Sequence, residues 1–159
     1  MNISSSHRSW LVLVGFIGAA FVAGAIGSWA TISNVRTWYP ALAKPAWNPP
    51  SWLFAPVWTT LYVFMGAAAW RAWRTGPAAR PLVMGYFVQL VLNALWSILF
   101  FGLKQPVWAL VDIVVLWGLL GWLQIGLWRT DRAAGAFWLP YLLWVSFATA
   151  LNAAIVRLN

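Results

Sequence analysis

The stretch P-L-V-M-G-Y-F-V-Q-L-V-L-N-A-L-W-S-I-L-F-F-G-L at residues 81–103 has no charged side chain. About 20 apolar residues cross the hydrocarbon core of a bilayer as a helix. Three further uncharged blocks of similar length occur, and a fourth, at 107–128, is apolar except for Asp112; the chain has 159 residues, 63% hydrophobic and 8% charged. Soluble domains carry roughly a quarter charged residues. This pattern predicts a protein that crosses a membrane several times.

The charged residues divide the chain into five apolar blocks joined mostly by short connections. We therefore expect an all-α membrane protein, a five-helix transmembrane bundle that forms a single domain over residues 1–159. The first block is too long for the apolar core of a signal peptide, so we expect a retained helix. Small residues in this block, Gly15, Ala19, Ala23 and Gly27, favour close approach of another helix. The predicted helices lie at roughly 10–32, 51–73, 81–102, 107–128 and 133–157, with a lid loop at 33–50.

The charge balance argues for a membrane and against catalysis. The net charge is +8, and the ten basic residues are spread between the apolar blocks, as in loops at a membrane surface. We therefore expect no nucleic-acid partner. Asp112 and Asp131 are the only acidic residues, Cys is absent, and the single His7 lies in the polar N-terminal tail. Neither a metal site nor an acid–base catalytic site is predicted from such a set.

Polar and aromatic residues recur on single faces of four predicted helices, at spacings of three or four residues. These stripes are Trp58 and Tyr62; Gln89, Asn93 and Trp96; Trp108 and Asp112; and Trp144, Ala148 and Leu151. One interpretation is an interior cavity with aromatic walls for a large planar ligand. The other is that the amides join helices and the tryptophans only pack. For Asp112, a buried structural hydrogen bond is favoured over a proton relay.

Five ordered motifs strongly resemble the TspO/MBR family, which includes the translocator protein, the tryptophan-rich sensory protein and the peripheral benzodiazepine receptor. The motifs cover nearly the whole chain with matching spacing. They are W-Y-P-A-L-A-K-P-A-W-N-P-P (38–50), F-A-P-V-W-T-T-L-Y (54–62), Q-L-V-L-N-A-L-W-S-I-L-F-F-G (89–102), W-A-L-V-D (108–112) and P-Y-L-L-W-V-S-F-A-T-A-L-N (140–152).

The resemblance implies a homodimeric five-helix receptor whose ligand cavity is closed by the loop between helices 1 and 2. It implies no required cofactor; the ligands are porphyrins such as protoporphyrin IX or a heme-like tetrapyrrole, and benzodiazepine-type drugs. It also implies a bacterial multi-pass membrane protein, with the choice between inner and outer membrane left open. Carried over by motif, the ligand-binding residues are Tyr39, Pro49, Trp58, Asn93, Trp108, Trp144, Ala148 and Leu151.

The resemblance leaves three functions open. The leading one is a porphyrin-binding receptor or translocator-type sensory protein. An alternative is light-dependent porphyrin degradation, in which Trp58 and Trp144 would be oxidised, so that enzymatic activity stays a secondary expectation. The third is a stress-regulatory interaction protein. Sterol binding is not predicted, because L-N-A-A-I-V-R at 151–157 lacks the tyrosine of the proposed cholesterol motif.

The run K-P-A-W-N-P-P at residues 44–50 suggests a stiff lid. Proline fixes φ and holds the preceding residue in extended geometry. A stiff loop loses less entropy on closing. Pro49 and Pro50 also suit the start of a helix, where a missing N–H has little cost.

Overall fold

A computed structural model describes the backbone of residues 3–159 and the side chains of residues 9–159. None of these residues lies in a strand. The long helices are α1 (Ile3–Ile32), α2 (Phe54–Arg74), α3 (Arg80–Ser97), α4 (Pro106–Thr130) and α5 (Arg132–Leu158). All five are long and apolar enough to cross a membrane. The predicted all-α fold with five spans is confirmed.

Most helix boundaries agree with the predicted ones to within a few residues. A 3₁₀ turn, Ser51–Leu53, precedes α2, and a π-helical segment, Ile98–Gly102, continues α3. The exception is α1, which we expected to begin near residue 10 and which begins at Ile3. Residues 3–9 contain no Gly or Pro, so nothing in the sequence stops the helix there. The predicted solvated position of the His7 side chain lies outside the described residues.

The helices form a closed ring in the order α1, α2, α5, α4 and α3. Neighbouring α4 and α5 run antiparallel, as the short connection predicts. Two hydrogen bonds show this directly: Trp138 Nε1 donates to Leu120 O at 3.3 Å, and Asn152 Nδ2 donates to Pro106 O at 2.9 Å. As α5 runs from Trp138 to Asn152, its partners in α4 run backwards from Leu120 to Pro106.

Small residues permit the closest helix contacts. A Cβ on Gly66 of α2 would lie 2.8 Å from backbone atoms of Ile17 in α1. The predicted small-residue stripe of α1 divides between two faces. Ala23 and Gly27 are buried within the bundle, whereas Gly15 is exposed, and a Cβ added there would meet no other atom within 4 Å. Only part of the predicted stripe is therefore used for packing within the bundle.

Two apolar clusters fill the interior. The central cluster includes Phe16, Leu61, Met65, Tyr86, Leu90, Ile113, Leu116, Leu120, Trp138, Tyr141 and Val145. The lid-end cluster contains Phe100, Ala109, Leu151 and Ile155, with Trp38, Tyr39 and Leu42 of the loop packed on it. Large apolar side chains also stay exposed on the outer faces, among them Leu11, Val22, Val91, Val114 and Leu143. In a membrane these faces contact lipid.

Candidate functional site

The loop between α1 and α2 packs on one end of the bundle. Tyr39 packs against Phe101 with ring centroids 5.5 Å apart and against Phe100 at 6.2 Å. Its hydroxyl donates to Asn48 Oδ1 at 2.9 Å, a hydrogen bond within the loop. Burial raises the pKa of the Tyr39 hydroxyl above its ordinary value. The hydroxyl therefore remains a neutral donor at physiological pH.

Lys44 stabilises the fold of this loop from within. Its Nζ donates to the carbonyl oxygens of Tyr39 at 2.9 Å, Pro40 at 3.1 Å and Leu42 at 2.8 Å. The ammonium group also lies 5.0 Å from the centroid of the Tyr39 ring. Three loop carbonyls are thus bound by one cation, which rigidifies the lid in addition to its prolines.

Two asparagines attach the lid to the helices. Asn159 accepts a hydrogen bond from Ala43 N at 3.0 Å through its Oδ1, and its Nδ2 donates to Ala43 O at 3.0 Å. At the other end of the loop, Asn34 Nδ2 donates to Phe101 O at 2.8 Å. Phe101 belongs to the π-helical segment, a geometry common at functional sites. The lid is therefore fastened both to α5 and to the end of α3.

Pro49, the second predicted lid residue, is half-buried at the end of the loop that leads into α2. The neighbouring Asn48 Nδ2 donates to Pro49 O at 3.1 Å. Tyr39 and Pro49 are thereby linked through the side chain of Asn48, although they lie ten residues apart in the sequence.

Trp58 and Asn93 meet at one buried tyrosine. The Trp58 ring lies 5.6 Å from Tyr62 and 6.2 Å from Tyr141. Asn93 Nδ2 donates to the Tyr141 hydroxyl oxygen at 3.3 Å, and that hydroxyl donates to Gln89 Oε1 at 2.7 Å. Asn93, Gln89 and Tyr141 are all buried. The predicted convergence of α2 and α3 residues in the interior is present, with Tyr141 of α5 between them.

Trp144 lies on the side of α5 that faces α2. Its ring is 5.9 Å from Phe54 and 5.5 Å from Phe147. Ala148 packs on the central cluster, and Leu151 is buried in the lid-end cluster. The three predicted α5 residues therefore lie in three different environments. Trp144 lies at the contact between α5 and α2, Ala148 faces the central cluster, and Leu151 lies in the lid-end cluster beneath the loop.

Trp108 does not join the other predicted site residues. Its side chain is 62% exposed, while Asp112 on the next turn is only 8% exposed. A spacing of four residues aligns two side chains only approximately, since each turn has 3.6 residues. Here the inward face of α4 passes through Ala109, Asp112 and Leu116. The predicted inward position on α4 is therefore correct for Asp112 and wrong for Trp108.

A groove of about 570 Å³ lies between α2 and α5 beside Trp144. Its α2 wall includes Val57, Thr60 and Phe64, and its α5 wall includes Pro140, Leu143 and Trp144. Pro140 is inside the helix, so the carbonyl of Ala136 lacks its helical N–H partner. The lining is almost wholly apolar, and the groove is open on the outer face of the bundle, where a membrane would supply lipid.

Several residues of this region were not in the predicted site. Tyr141 is the most important of them, because it connects Trp58, Asn93 and Gln89. The sequence could have indicated that Tyr141 faces the same site, because it precedes Trp144 by three residues and Ala148 by seven and so lies on the same helical face. Phe147 and Pro140 of the groove lacked such a signal, because their importance depends on the neighbouring α2.

Comparison with known proteins finds one family model and several relatives that are similar to the chain over nearly its whole length. The family model described as the TspO/MBR family matches residues 16–158. The chain is 41% identical over 156 residues to the "Tryptophan-rich protein TspO" of Chlorobaculum tepidum, covering 96% of this chain and 99% of the relative. It is 37% identical over 155 residues to the "Translocator protein" of Sus scrofa, covering 94% and 91% of the two chains. It is 35% identical over 153 residues to the "Tryptophan-rich sensory protein" of Cereibacter sphaeroides, covering 96% and 94%.

The five-helix ring with its lipid-facing surface defines an integral, multi-pass membrane protein. Within that class, the match over nearly the full chain places it in one family. The chain belongs to the TspO/MBR family, as its five motifs predicted.

Proposed function

We propose that the protein is a membrane receptor of the translocator and sensory type that binds a planar hydrophobic tetrapyrrole. The α2–α5 groove beside Trp144 is the observation that carries this proposal. An apolar groove bordered by an indole suits a flat aromatic ligand, because burial and ring contact supply affinity without many polar groups. The names of relatives, translocator protein and tryptophan-rich sensory protein, are consistent with such a role.

The proposed ligand path leads from the groove towards the interior. Trp144 borders the groove, and Val57, the neighbour of Trp58 in the sequence, forms part of the opposite wall. Trp58 itself lies on the inner side of α2, against Tyr141. Binding would therefore begin at Trp144, and deeper insertion would move the Trp58–Tyr141 contact. Tyr39 and Pro49 would act from the lid, and Ala148 and Leu151 would line the inner side of α5. Trp108 enters this proposal only if it turns inwards on binding.

The test is titration of the protein in lipid nanodiscs with protoporphyrin IX, followed by tryptophan quenching. We expect Trp144→Phe to weaken binding, and Trp144→Phe combined with Trp58→Phe to weaken it further. Trp10→Phe is the matched control, because Trp10 is 63% exposed and lies on α1 outside the groove. Equal affinities in the wild type and the double variant would disprove the proposed site.

A second candidate function is light-dependent degradation of the bound porphyrin, with dioxygen as oxidant. The contact of Trp58 with two tyrosine rings favours it, because indole and phenol side chains can both be oxidised. The test is aerobic illumination of the complex with absorption spectra over time. Loss of porphyrin absorbance at the rate of the free ligand would count against this activity, as would an unchanged rate in Trp58→Phe.

The remaining expectations about partners also belong to this proposal. We infer a homodimer, binding of benzodiazepine-type drugs in the same region and a place in a bacterial membrane. Size measurement of the protein in nanodiscs tests the dimer, and competition of such a drug with protoporphyrin IX tests the shared site.

A further inference from the structure

Four arginines at the end of the bundle opposite the lid have no acidic partner among residues 9–159. The helices alternate in direction, so α2 and α4 end there, and α3 and α5 begin there. A fifth arginine, Arg71, forms the only salt bridge within the described range, with Asp131. The four exposed arginines, which we call the arginine patch, are Arg74, Arg80, Arg129 and Arg132.

The two acids of the chain do not neutralise the patch. Asp131 accepts hydrogen bonds from Arg71 Nε at 2.9 Å and from the backbone N–H groups of Ala133 and Ala134. Asp112 is buried inside the bundle, and its Oδ2 has no hydrogen-bond partner among residues 9–159. The guanidinium groups of the patch are therefore free to bind an external anion.

Helix dipoles account for only part of the patch. Arg74 and Arg129 lie in the last turns of α2 and α4, where a cation complements the negative end of the dipole. Arg80 and Arg132 are the first residues of α3 and α5, where the dipole favours an anion. The N-cap of α3, Ala79, offers no side-chain hydrogen bond. At this terminus the arginine and the free N–H groups attract the same anion.

Tryptophans place the patch at the surface of the membrane. Trp73 and Trp128 each precede an arginine of the patch, and both are exposed. Trp70 lies beneath the Arg74 guanidinium, which is 4.8 Å from its ring centroid, and Trp70 Nε1 donates to Ser9 O at 3.0 Å. Tryptophan is enriched at the headgroup level of a membrane, because its ring is apolar and its N–H is polar. The patch therefore lies at the depth of the lipid phosphates.

The patch converges on the turn between α4 and α5. Arg129 and Arg132 flank this turn, and the Arg71–Asp131 salt bridge joins it to the last turn of α2, which carries Arg74. Guanidinium groups of three helices are thus gathered around one turn.

The cations at the lid end are arranged differently. Lys44 is bound to three carbonyl oxygens of its own loop. The exposed cations of that end lie on three separate parts of the chain: Arg36 in the lid loop, Lys104 between α3 and α4, and Arg157 in α5. They therefore serve as a control for the effect of charge alone.

We propose that the arginine patch binds the headgroup of an anionic phospholipid at the membrane surface. A guanidinium group donates two parallel N–H bonds to a phosphate. Clusters of basic residues beside transmembrane helices attract lipids with a net negative charge. A zwitterionic lipid carries its own ammonium group near the phosphate, so it gains less from the patch. This binding takes place on the outside of the bundle and does not depend on a tetrapyrrole ligand.

The test is thermal unfolding of the detergent-solubilised protein during titration with phosphatidylglycerol or with phosphatidylcholine of the same acyl chains. A lipid that binds the folded state raises Tm. We expect Tm to rise at lower concentrations of phosphatidylglycerol than of phosphatidylcholine, and high salt to reduce this difference. Equal responses to the two lipids overturn the proposal.

A triple variant removes three exposed charges of the patch through Arg80→Gln, Arg129→Gln and Arg132→Gln. Each arginine near the membrane surface contributes about fivefold to the affinity for anionic lipid. The triple variant should therefore need on the order of 100-fold more phosphatidylglycerol for the same rise in Tm. A response equal to that of the wild type overturns the proposal.

The matched control removes three charges at the lid end through Arg36→Gln, Lys104→Gln and Arg157→Gln, and it should keep the wild-type response. An equal loss in both triple variants would show attraction by net charge alone and would overturn the site. Tm without lipid shows whether each variant is folded. If the patch variant does not fold, Arg129→Gln with Arg132→Gln takes its place and should need about 25-fold more phosphatidylglycerol.

Inorganic phosphate and glycerol phosphate distinguish a lipid site from a site for a free anion. Both lack acyl chains, so neither should raise Tm at the concentrations at which phosphatidylglycerol acts. If inorganic phosphate does so, and the patch variant loses the effect, the patch is a free-phosphate site and the lipid proposal is wrong. None of the patch arginines lines the α2–α5 groove, so failure of lipid binding leaves the tetrapyrrole proposal standing, and the reverse.

Discussion

Tyr141 donates its hydroxyl hydrogen to Oε1 of Gln89 at 2.7 Å and so joins α5 to α3 in the middle of the bundle. The same hydroxyl oxygen accepts from Asn93 Nδ2. Because no water competes within a bilayer, each of these groups depends on protein partners. The Tyr141 hydroxyl is thus the point at which the helices that carry the predicted site are held together.

Replacing Tyr141 by Phe should destabilise the protein by about 1–2 kcal/mol, because both amides lose a partner while the packing is kept. Thermal unfolding in nanodiscs measures this change. Tyr62→Phe is the matched control, since the Tyr62 hydroxyl makes no hydrogen bond with any of the described residues. A Tyr141→Phe protein as stable as the control would contradict the stated role of the hydroxyl.

The contact between Gly66 and Ile17 gives a second prediction. A Cβ on Gly66 would lie 2.8 Å from the Ile17 backbone, and backbone cannot move as a side-chain tip does. Gly66→Ala should therefore cost roughly 1–3 kcal/mol through overpacking. Gly15→Ala adds the same methyl group on the outer face of α1, where the new Cβ would meet nothing within 4 Å, and it should leave Tm unchanged or slightly raised. Equal effects of the two substitutions would show that α1 and α2 are not closely packed.

The Arg71–Asp131 pair predicts a dependence of stability on pH. The two groups are 2.9 Å apart where α2 ends and α5 begins. Burial acts to raise the pKa of Asp131, but the hydrogen bond from Arg71, those from Ala134 and Ala133, and the charge of Arg71 outweigh it, so the pKa is lowered. A lowered pKa in the folded state means that stability is complete above the ordinary Asp value of about 3.9 and is lost as the pH falls below it.

Unfolding temperature measured between pH 7 and pH 3 checks this prediction. The wild type should lose stability in the acidic part of the range, and Asp131→Asn should be less stable at pH 7 and less sensitive to acid. The side chains are partly exposed, so the effect should be small and should shrink at high salt. A wild type and variant with parallel pH curves would exclude Asp131 as the responsible group.

How far the sequence predicts this protein depends on the type of contact involved. The helices follow from segments of bilayer length that carry no charge or, in α4, the single Asp112, and the inward faces of α2, α3 and α5 follow from helical spacing. The inward placement of Trp108 was wrong because a residue at the edge of a helical stripe can face either way, and only the packing of α3 against α4 decides. Tyr141 lies on a predicted stripe, but its hydrogen bonds to Gln89 and Asn93 depend on the distance between two helices. The Asn159–Ala43 contact could not be predicted, since it joins groups 116 residues apart.

That contact leads to the last prediction, which concerns release of the ligand. Asn159 pairs with both backbone groups of Ala43, like a strand neighbour, and so fastens the lid to α5. Asn159→Ala removes both hydrogen bonds, each worth about 0.5–1.5 kcal/mol. Because Tyr39 and Pro49 of the lid are proposed to contact the bound ligand, loosening the lid should make porphyrin dissociation several-fold faster. Stopped-flow fluorescence measures this rate, and Arg157→Ala, two residues away and exposed, is the control. A dissociation rate unchanged in Asn159→Ala would mean that the lid does not hold the bound ligand.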